Sequence, residues 1–423
     1  MPYSGEVANE DLFTTGVQST SRESLMNPSE QVTVMSSSYG SGSRYGIGNI
    51  PPEGGMLTNT EYERLAFSGE INLSDGHARL PLDSTQLSIV RDLGRLFQTL
   101  AGVDQNLLER TFLDRFFSLL SQSTALSSGN IFLSYSSSCE LKLIAQACRI
   151  KNLRVCLIDP VFDNIRHFLE TERISLTGFH ERLLEAPRDL PAVSENVVLW
   201  LVLPNNPTGF TLTADQFNEL LLECRRRNWC IVLDASFRPN SSSMLKWDMY
   251  AQLASSEVEF VIVEDTGKAW SLLDVKVGIS VASDFFARDL HILHDQLLLN
   301  VSPLHLTILI KFLEDAAQRG LRATIWDAVE RNRREVRSLI DQSCLRSVGD
   351  CSQVPMELVG LPDEIDARTF WCLSRKVGVD ILPAQNYYWQ SNEGERYFRM
   401  PLARPHTEIV AACERLLAVS SKI

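Results

Sequence analysis

Short apolar runs alternate with amphipathic stretches through the middle of this chain. The runs predict strands at 131–133, 155–158, 198–203, 230–234 and 259–264. Apolar residues spaced three and four apart predict helices near 84–101, 106–122, 139–150, 163–171 and 213–227. Strands that alternate with helices indicate an α/β fold with a mostly parallel sheet and right-handed crossovers.

The pattern changes toward the carboxyl end of the chain. Residues 284–342 read as three helices, of which the stretch 304–314 is strongly apolar on one side. Short strands near 355–359, 379–382 and 396–400 then accompany helices near 366–376 and 406–419. This mixture predicts a small α+β domain after the large one.

The first 55 residues show neither the helical nor the strand spacing of apolar positions. They are rich in Ser and Gly, notably over 36–46, and such a composition favours a disordered tail. Tyr39, Arg44 and Tyr45 are interleaved among the small residues. A folded arm that covers a ligand is therefore the alternative.

Length and charge narrow the class of protein. With 423 residues, the chain can form a large and a smaller domain that each bury a core. A formal net charge of -13 disfavours long-range attraction to nucleic acid or anionic lipid, so any phosphate must be bound locally. Because no leader-like segment opens the sequence and no apolar stretch could span a bilayer, we expect a cytoplasmic protein.

Cysteine and histidine give no sign of a disulfide framework or a metal centre. The nine Cys are odd in number, form no Cys-x-x-Cys pair and lie mostly in apolar segments, which is typical of buried thiols. His291 and His294 are spaced by three in a helix but lack a carboxylate or Cys partner at ligand spacing. A solvated face is expected there, and no metal.

Polar residues follow three of the predicted strands. Asn206 follows the strand at 198–203, Asp234 ends the next, and Lys268 follows the strand at 259–264. Ligands of an open α/β sheet bind outside the carboxyl ends of the strands, so these side chains should meet. Pyridoxal phosphate requires a Schiff-base lysine, an aspartate at the pyridine nitrogen and a donor to the phenolate oxygen. Taken alone, Lys268 could be an ordinary solvated lysine, Asp234 could cap a turn, and Asn206 could be explained by turn chemistry.

Motif spacing adds a resemblance to a known family. Residues 206–209 read Asn-Pro-Thr-Gly, which matches an Asn-Pro-x-Gly motif, and Lys268 is followed by the cation Lys276 and then by Gly278. Over about residues 72–415 the chain resembles the fold-type I pyridoxal phosphate enzymes of the class I/II aminotransferase-like group. The resemblance implies pyridoxal 5′-phosphate as cofactor and a homodimer.

The resemblance also implies an aspartate aminotransferase-like architecture. Such a fold has a large domain with a mostly parallel seven-stranded sheet sandwiched by helices, plus a smaller α+β domain. We therefore expect four segments in chain order: a flexible Ser/Gly-rich arm (1–55), the N-terminal part of the small domain (56–100), the large cofactor-binding domain (101–325) and the C-terminal small domain (326–423).

Further roles are implied by position in the family. The loop that holds the cofactor phosphate corresponds to Ser136, Ser137 and Ser138. Phe162 corresponds to the ring that stacks on the pyridine, and Arg399 to the clamp on the substrate α-carboxylate. His77 and Asn206 are further candidates for the substrate pocket, with a structural role as the alternative for His77. A helix cap, a core ring and a surface charge remain the alternatives for the serines, Phe162 and Arg399.

Two positions depart from the family pattern. Phe237 stands where a tyrosine usually donates to the ring oxygen, which leaves Asn206 as the chief donor. Lys276 replaces the usual arginine, so the charge at the phosphate is kept but bidentate geometry is lost. The family's partner-subunit tyrosine also has no counterpart between positions 76 and 134, and Tyr39 or Tyr45 of the arm could replace it.

The leading hypothesis is an aminotransferase-like enzyme that acts on an L-α-amino acid through an aldimine at Lys268. The runner-up is a related enzyme of specialised metabolism that uses the same carbanion for elimination, replacement, cyclisation or oxidation. A non-catalytic sensor of cofactor or amino acid is a third hypothesis, although no basic DNA-binding extension is evident. Which amino acid is the substrate does not follow from the sequence.

Overall fold

The computed structural model describes residues 57–127, 130–193, 195–272 and 274–423. Its strands are β1 (Ile71–Leu73), β2 (Ile131–Ser134), β3 (Arg154–Asp159), β4 (Leu176–His180), β5 (Val197–Val202), β6 (Cys230–Asp234), β7 (Phe260–Asp265), β8 (Gly278–Ala282), β9 (Arg346–Ser347), β10 (Met356–Gly360), β11 (Val379–Pro383) and β12 (Tyr397–Pro401). Its helices are α1 (Asn59–Ala66), α2 (Ser84–Arg91), α3 (Leu93–Thr99), α4 (Gln105–Leu119), α5 (Ser137–Ile150), α6 (Asp163–Thr171), α7 (Ala214–Arg227), α8 (Met249–Ser256), α9 (Asp284–Leu297), α10 (Pro303–Arg319), α11 (Asp327–Asp341), α12 (Ala367–Lys376) and α13 (His406–Ser420).

Seven strands form the larger sheet, in the order β2-β8-β7-β6-β5-β3-β4. The strands β4, β3, β5, β6 and β7 pair in parallel, whereas β8 runs antiparallel to both β7 and β2. Strands β5 and β7 are buried along their whole length, which explains why they read as continuous apolar runs rather than alternating ones. The predicted α/β fold with a mostly parallel seven-stranded sheet is confirmed.

A second sheet has five strands, in the order β1-β11-β12-β10-β9. Only β1 pairs in parallel, with β11, and the remaining pairs are antiparallel. Helices α11, α12 and α13 pack around this sheet. The N-terminal part of the described chain and its carboxyl-terminal part therefore build one layer together.

The apolar side chains separate into two clusters, one around each sheet. In the larger cluster, the Phe116 ring lies edge-on to Phe117, and Phe117 lies edge-on to Tyr250. In the smaller cluster, Phe370 stacks on Phe398 with 5.0 Å between ring centroids. Phe162 packs against both clusters, so the two cores meet near this residue.

Most predicted elements occur within a few residues of their expected bounds, with two kinds of difference. The helix expected over 84–101 is broken, because Asp92 leaves the helical conformation between α2 and α3. Strands β1, β4, β8 and β9 and helices α1 and α8 have no counterpart among the predicted elements. For β4 the reason is its place at the sheet edge, where half-exposed positions remove the apolar run. The arm predicted over 1–55, with Tyr39 and Tyr45, lies outside the described residues. Within the described ranges, no helix has the length and apolarity needed to cross a membrane.

Candidate active site

Three neighbouring strands of the larger sheet direct the candidate residues to one place. Val202 at the end of β5 pairs with Asp234, and Asp234 pairs with Val263 of β7. The loops that follow β5, β6 and β7 therefore leave the same sheet edge side by side. They open onto a cavity of about 300 Å³, called the central cavity here. Its walls are formed by Thr60, Glu63, Gly76, His77, Ser136, Ser137, Ser138, Leu141, Phe162, Asn164, Val202, Asn206, Asp234, Ser236, Phe237, Asp265, Lys268, Lys276 and Arg399.

All eleven site residues expected from the sequence lie on this wall. They are His77, Ser136, Ser137, Ser138, Phe162, Asn206, Asp234, Phe237, Lys268, Lys276 and Arg399. Sequence reasoning missed two carboxylates among the others, Glu63 and Asp265. Asp265 is directly adjacent to the motif that the sequence marks, whereas Glu63 lies on α1, for which the sequence pattern gives no signal.

The amine of Lys268 has no fixed partner. Within the residues that the structure describes, its Nζ makes no hydrogen bond or ion pair, and it lies 5.8 Å from the centroid of the Phe237 ring. The backbone is held instead, because Asn240 Nδ2 donates to the Lys268 carbonyl at 3.2 Å. A lysine fixed at its backbone and unpaired at its amine is suited to react with a carbonyl group.

Asp234 presents one unpaired carboxylate oxygen to the central cavity. Its Oδ1 accepts from the Ser236 amide at 2.9 Å and from Ser236 Oγ at 2.5 Å. Across the described part of the chain, Oδ2 receives no hydrogen bond. Burial raises the pKa of this carboxyl, although the two bonds from Ser236 oppose the shift. A buried carboxylate with a free oxygen is suited to accept from a cationic ring N–H.

The first turn of α5 forms an anion cradle. Ser136 caps the helix, since its Oγ accepts from the Cys139 amide at 3.3 Å. Gly278 of β8 lies directly beneath, where a Cβ atom would come within 2.3 Å of the Ser136 carbonyl carbon. The absence of a side chain at Gly278 therefore allows the strand and the helix N-terminus to approach each other.

A carboxylate already occupies part of this cradle. Asp265 Oδ2 accepts from the Ser137 amide at 3.1 Å and from Ser137 Oγ at 2.7 Å. Burial would raise the pKa of Asp265, but the charge of Lys268 and the hydrogen bonds from Ser137 outweigh it and hold the pKa below its usual value. Anions at a helix N-terminus are stabilised by its unpaired N–H groups, and Asp265 uses this stabilisation from within the protein.

Lys276 and His77 are joined in a hydrogen-bonded row. Lys276 Nζ lies 2.8 Å from His77 Nε2, and His77 Nδ1 lies 2.6 Å from Asp75 Oδ1. With Nδ1–H donating to Asp75, the Nε2 lone pair accepts from Lys276. The charge of Lys268 and burial lower the pKa of His77, which favours this neutral form. Lys276 therefore lies at the cavity wall, and its amine is bonded to His77 rather than to a group of the anion cradle.

Arg399 is a buried residue, not a surface charge. Its side chain is 1% exposed. Nη1 donates to Tyr387 Oη at 2.7 Å and to Asn206 Oδ1 at 3.4 Å. Nη2 donates to the Ser74 carbonyl and makes a long contact of 3.4 Å with Glu63 Oε1. A guanidinium with four partners, two of them at 3.4 Å, is held in a fixed orientation at the cavity wall.

The unpaired groups fit a phosphorylated pyridine aldehyde. An amine, a carboxylate oxygen and the hydroxyl of Ser138 face one cavity without a side-chain partner among the described residues. They match the aldehyde, the ring nitrogen and the phosphate of such a molecule. Phe162 supplies an aromatic face at the same wall.

The model of the family described as aminotransferase class I and II matches residues 99–362, which is more than half of the chain. The chain belongs to the class I and II aminotransferase family. The match includes the strands of the larger sheet and the lysine, aspartate and asparagine at their ends. Enzymes of this family use pyridoxal phosphate, so the expectation of a pyridoxal phosphate-dependent enzyme of the class I/II group is confirmed.

Solved structures agree on the fold of this aminotransferase-family protein. The structure of MppP soaked with the product 2-ketoarginine superposes with a TM-score of 0.76 at 28% identity, over 82% of this chain and 98% of that one. YbdL from Escherichia coli, reported with a methionine aminotransferase function, gives a TM-score of 0.69 at 17% identity, over 87% and 98%. Aspartate aminotransferase from Thermus thermophilus with maleate gives 0.69 at 13% identity, over 86% and 97%.

Similarity to curated proteins covers a shorter segment. Two Mycobacterium tuberculosis proteins, from strains CDC 1551 and H37Rv, carry the proposed name cystathionine beta-lyase and are 30% identical to this chain over 118 residues. The aligned segment spans 28% of this chain and 28% of theirs.

One further expectation from the sequence is wrong. The sequence predicts a solvated face for His294 together with His291, but the His294 side chain is only 9% exposed and its Nε2 lies 3.1 Å from Glu140 Oε2. His291 is exposed as expected. The partner of His294 comes from α5, distant in sequence, so spacing along one helix does not reveal it. Among the described residues, no group of three His, Cys, Asp or Glu side chains is arranged to hold a metal ion.

Proposed function

We propose that the central cavity is the active site of a pyridoxal phosphate-dependent enzyme that acts on an L-α-amino acid. The observation that supports this most strongly is the convergence of Lys268, Asp234, Asn206 and Arg399 on one cavity beside the N-terminus of α5. When bound, pyridoxal phosphate acts as an electron sink for the bonds at the substrate α-carbon. The remaining steps depend on side chains of this chain.

Binding of the cofactor is divided among several elements. Ser136, Ser137 and Ser138 would hold the phosphate with the N–H groups of α5, and Lys276 would supply a cation. Asp234 would keep the ring nitrogen protonated, and Phe162 would cover one ring face. Asn206 would donate to the ring oxygen, while Phe237 contributes area without a donor.

Lys268 is proposed as the proton carrier. Its unpaired amine lies on the same wall as Asp234, so it would hold the cofactor through the aldehyde group, and the free amine would accept and return the α-proton of the substrate. His77, neutral and hydrogen bonded to Lys276, lies within the same cavity and limits the space for solvent there. Loss of the Lys268 amine should lower turnover by about 100- to 10,000-fold, the range for a lost general acid and base.

Arg399 is proposed to bind the substrate α-carboxylate. Its contact with Glu63 is long, and burial raises the pKa of Glu63, so the two are a weak pair. An incoming carboxylate can replace Glu63 at Nη2 while Tyr387 and Asn206 keep Nη1 in place.

We propose a cationic side chain for the substrate. The cavity wall carries Glu63, which the α-carboxylate would displace from Arg399, whereas the second carboxylate there, Asp265, is already bonded to Ser137 and to the Gly267 amide. MppP, which aligns with this chain at 28% identity, was studied with the product 2-ketoarginine. A guanidinium pairs with a carboxylate through two parallel hydrogen bonds that its positive charge strengthens, whereas the neutral urea of citrulline offers a similar pair of donors without the charge. Comparing L-arginine with its neutral isostere L-citrulline tests this, and we expect kcat/KM to favour arginine by at least about tenfold. Equal values would contradict it.

A reaction other than transamination, namely elimination or oxidation of the same amino acid, is the second candidate. Phe237 removes a donor near the ring and Lys276 is engaged with His77, so the cofactor would be held differently from the family pattern. The relatives named for a lyase reaction favour elimination, whereas the 2-ketoarginine named with MppP is a keto acid. Pyridoxamine phosphate should accumulate during a half-reaction with amino acid if the enzyme is an aminotransferase. Its absence during turnover would favour elimination or oxidation.

A homodimer is also proposed. Leu107 and Leu299 are exposed, and the segments that carry them are joined by a hydrogen bond from Gln105 Nε2 to the Val301 carbonyl at 3.1 Å. Tyr135, adjacent to the phosphate cradle, accepts from the Ser302 amide of the second segment. A second copy that covered these leucines would therefore lie near the cradle.

We propose the domain division stated above, with the larger domain over 101–325 and the smaller one over 56–100 and 326–423. The two sheets and the two apolar clusters support it, except that Leu82, Ile89, Val90 and Leu93 of the segment 56–100 pack against the larger cluster. A cytoplasmic location and a role in amino acid metabolism or biosynthesis are proposed with it. All nine Cys are free thiols, which suits a reducing compartment.

A further inference from the structure

A buried carboxyl lies behind the wall of the central cavity. Glu181 follows β4 and is 3% exposed. Its Oε2 accepts from Asn205 Nδ2 at 2.5 Å and from Thr208 Oγ1 at 2.9 Å. A single carboxylate oxygen therefore holds both ends of the turn 205–208, which carries Asn206 into the cavity.

Asn205 extends this contact to a second loop. Its Nδ2 also donates to the Pro160 carbonyl at 2.8 Å, two residues before Phe162. Asn205 Oδ1 is buried without a hydrogen-bond partner in the part of the chain that the structure describes. The orientation of this amide consequently depends on the bonds from Nδ2, to Glu181 and Pro160.

The other side of the turn faces the reaction site. Asn206 Oδ1 accepts from Arg399 Nη1, which also donates to Tyr387. Asn205 and Asn206 are adjacent, so a change in the backbone of one reorients the other. Glu181 is therefore linked through one peptide unit to the proposed donor at the ring oxygen and to the substrate-binding arginine.

Glu181 is a costly choice for packing alone. Within the described residues, no cation hydrogen bonds to it, and its donors are the neutral groups of Asn205 and Thr208. A buried carboxyl without a paired cation is less stable than an amide of the same shape. Its presence therefore indicates a role other than packing at the turn to which it is bonded.

We propose that Glu181 is a positioning residue, which fixes the turn 205–208 so that Asn206 is directed at the cofactor ring oxygen and at Arg399. The inference rests on the proposed function, because it assigns Glu181 a role in the same site. Glu181 itself does not line the central cavity and is not proposed to contact substrate or cofactor.

The test compares variants by cofactor binding and by spectroscopy rather than by turnover. Apoprotein would be titrated with pyridoxal phosphate, and the pH midpoint of the absorption band of the bound cofactor would be measured. Asn206→Ala should move this midpoint upward, because the ring oxygen loses a donor. Glu181→Ala should move it in the same direction by less, and weaken pyridoxal phosphate binding by about tenfold, as expected for one lost charge-assisted hydrogen bond.

Two further variants separate positioning from packing. Thr208→Val keeps the shape and removes one of the two bonds to Glu181, together with the bond that Oγ1 accepts from the Phe210 amide at 3.2 Å. A smaller shift in the same direction is expected even if Glu181→Ala folds poorly. The double variant Glu181→Ala with Asn206→Ala should titrate like Asn206→Ala alone, because Glu181 acts through Asn206. Glu181 and Glu393 both line a second cavity, called the outer cavity here. Glu393→Ala is the matched control, since Glu393 bonds to Tyr397 instead of the turn.

The outcomes distinguish this inference from the proposed function. A wild-type protein that binds no pyridoxal phosphate would contradict the proposed function itself. If the wild type binds it and both Glu181→Ala and Thr208→Val keep the wild-type affinity and midpoint, the positioning role is overturned. A lower unfolding temperature of the apoprotein without a spectral change would likewise mean that Glu181 only supports the fold.

Discussion

The three cationic side chains of the central cavity differ in how firmly they are held. Lys268 has an unpaired amine, Lys276 is bonded to a neutral His77, and Arg399 is fixed by Tyr387, Asn206 and Ser74. Lys268, which must move during a reaction, is thus free at its amine. Arg399, which must recognise a planar carboxylate, is held in place.

Arg399→Lys tests the recognition of the carboxylate. A lysine keeps the charge but loses the planar pair of donors, so KM for the amino acid should rise about 10- to 100-fold with a smaller change in kcat. Steady-state kinetics measure this, with Arg415→Lys as the surface control. An unchanged KM would assign the α-carboxylate to another residue.

Glu181→Gln should change how stability depends on pH. Burial raises the pKa of Glu181 from 4.5 to about 7, even though Asn205, Thr208 and the charge of Arg182 oppose the shift. The nearby carboxylate Asp159 acts with burial, and His180, Asp350, Tyr388 and Glu393 line the same outer cavity. Because the pKa of Glu181 is raised in the folded protein, the contribution of its protonated form to the free energy of unfolding is fully present below pH 4.5. This contribution is lost as the pH rises through about 7.

A glutamine at this position cannot ionise, so the unfolding temperature of Glu181→Gln should match the wild type below pH 4.5 and exceed it above about pH 7. Thermal unfolding of the apoprotein across this range measures the difference. Parallel curves at every pH would show that Glu181 does not titrate in the folded protein.

For single residues, the sequence predicts the members of a motif. It misses the residues that only tertiary structure places in the site. Lys268 and Asp234 are identified by strand ends and spacing. Asp265 lies in the same motif, yet its bond to Ser137 depends on the pairing of β7, β8 and β2, which a single sequence does not reveal. Glu63 reaches Arg399 from α1, far away in the chain.

At the scale of elements, the site depends on close contact between β8 and the first turn of α5. Gly278 starts β8 and pairs with Ser134, immediately before the cradle. The sequence pattern does not predict β8 as a separate antiparallel strand, although it marks Gly278 by its spacing from Lys268. The spacing is explained by the hairpin-like return of the chain from β7 to β8.

Gly278→Ala should weaken pyridoxal phosphate binding. The added Cβ would come within 2.3 Å of the Ser136 carbonyl carbon and 2.7 Å of the Ser137 nitrogen, so the cradle must shift. Titration of the apoprotein should show an affinity loss of about tenfold or more, as for a lost phosphate contact.

Gly94→Ala is the matched control for this prediction. Nothing lies within 4 Å of a Cβ at Gly94, which is in α3, so this change should leave binding unaltered and stabilise the helix by about 0.5–1 kcal/mol. Equal affinities of the two variants would show that β8 does not shape the phosphate site.

Elements are predicted best where burial produces a pattern. Strand β6 and helix α6 match their expected ranges, because one is continuously apolar and the other has a clear apolar face. The helix break at Asp92 depends on capping, and the strand β4 depends on its position at the sheet edge. The pattern of apolar residues predicts neither.

For the whole molecule, association of two copies is the main prediction. Leu299 is 99% exposed and Leu107 is 64% exposed, and so large an exposure of Leu299 is unusual for a large aliphatic side chain on a monomer. Leu299→Asp should shift the mass measured by sedimentation toward the monomer and weaken cofactor binding. Leu222→Asp, exposed on α7, should change neither. A wild-type protein that sediments as a monomer would contradict the proposed homodimer.

The central claim is that Lys268 holds the cofactor covalently. Holoprotein would be reduced with borohydride, digested and analysed by mass spectrometry. The account predicts one peptide that carries the mass of reduced pyridoxal phosphate on Lys268, and no such peptide in Lys268→Ala. Label on Lys276 or on a lysine outside the central cavity, or no label in holoprotein, would contradict it.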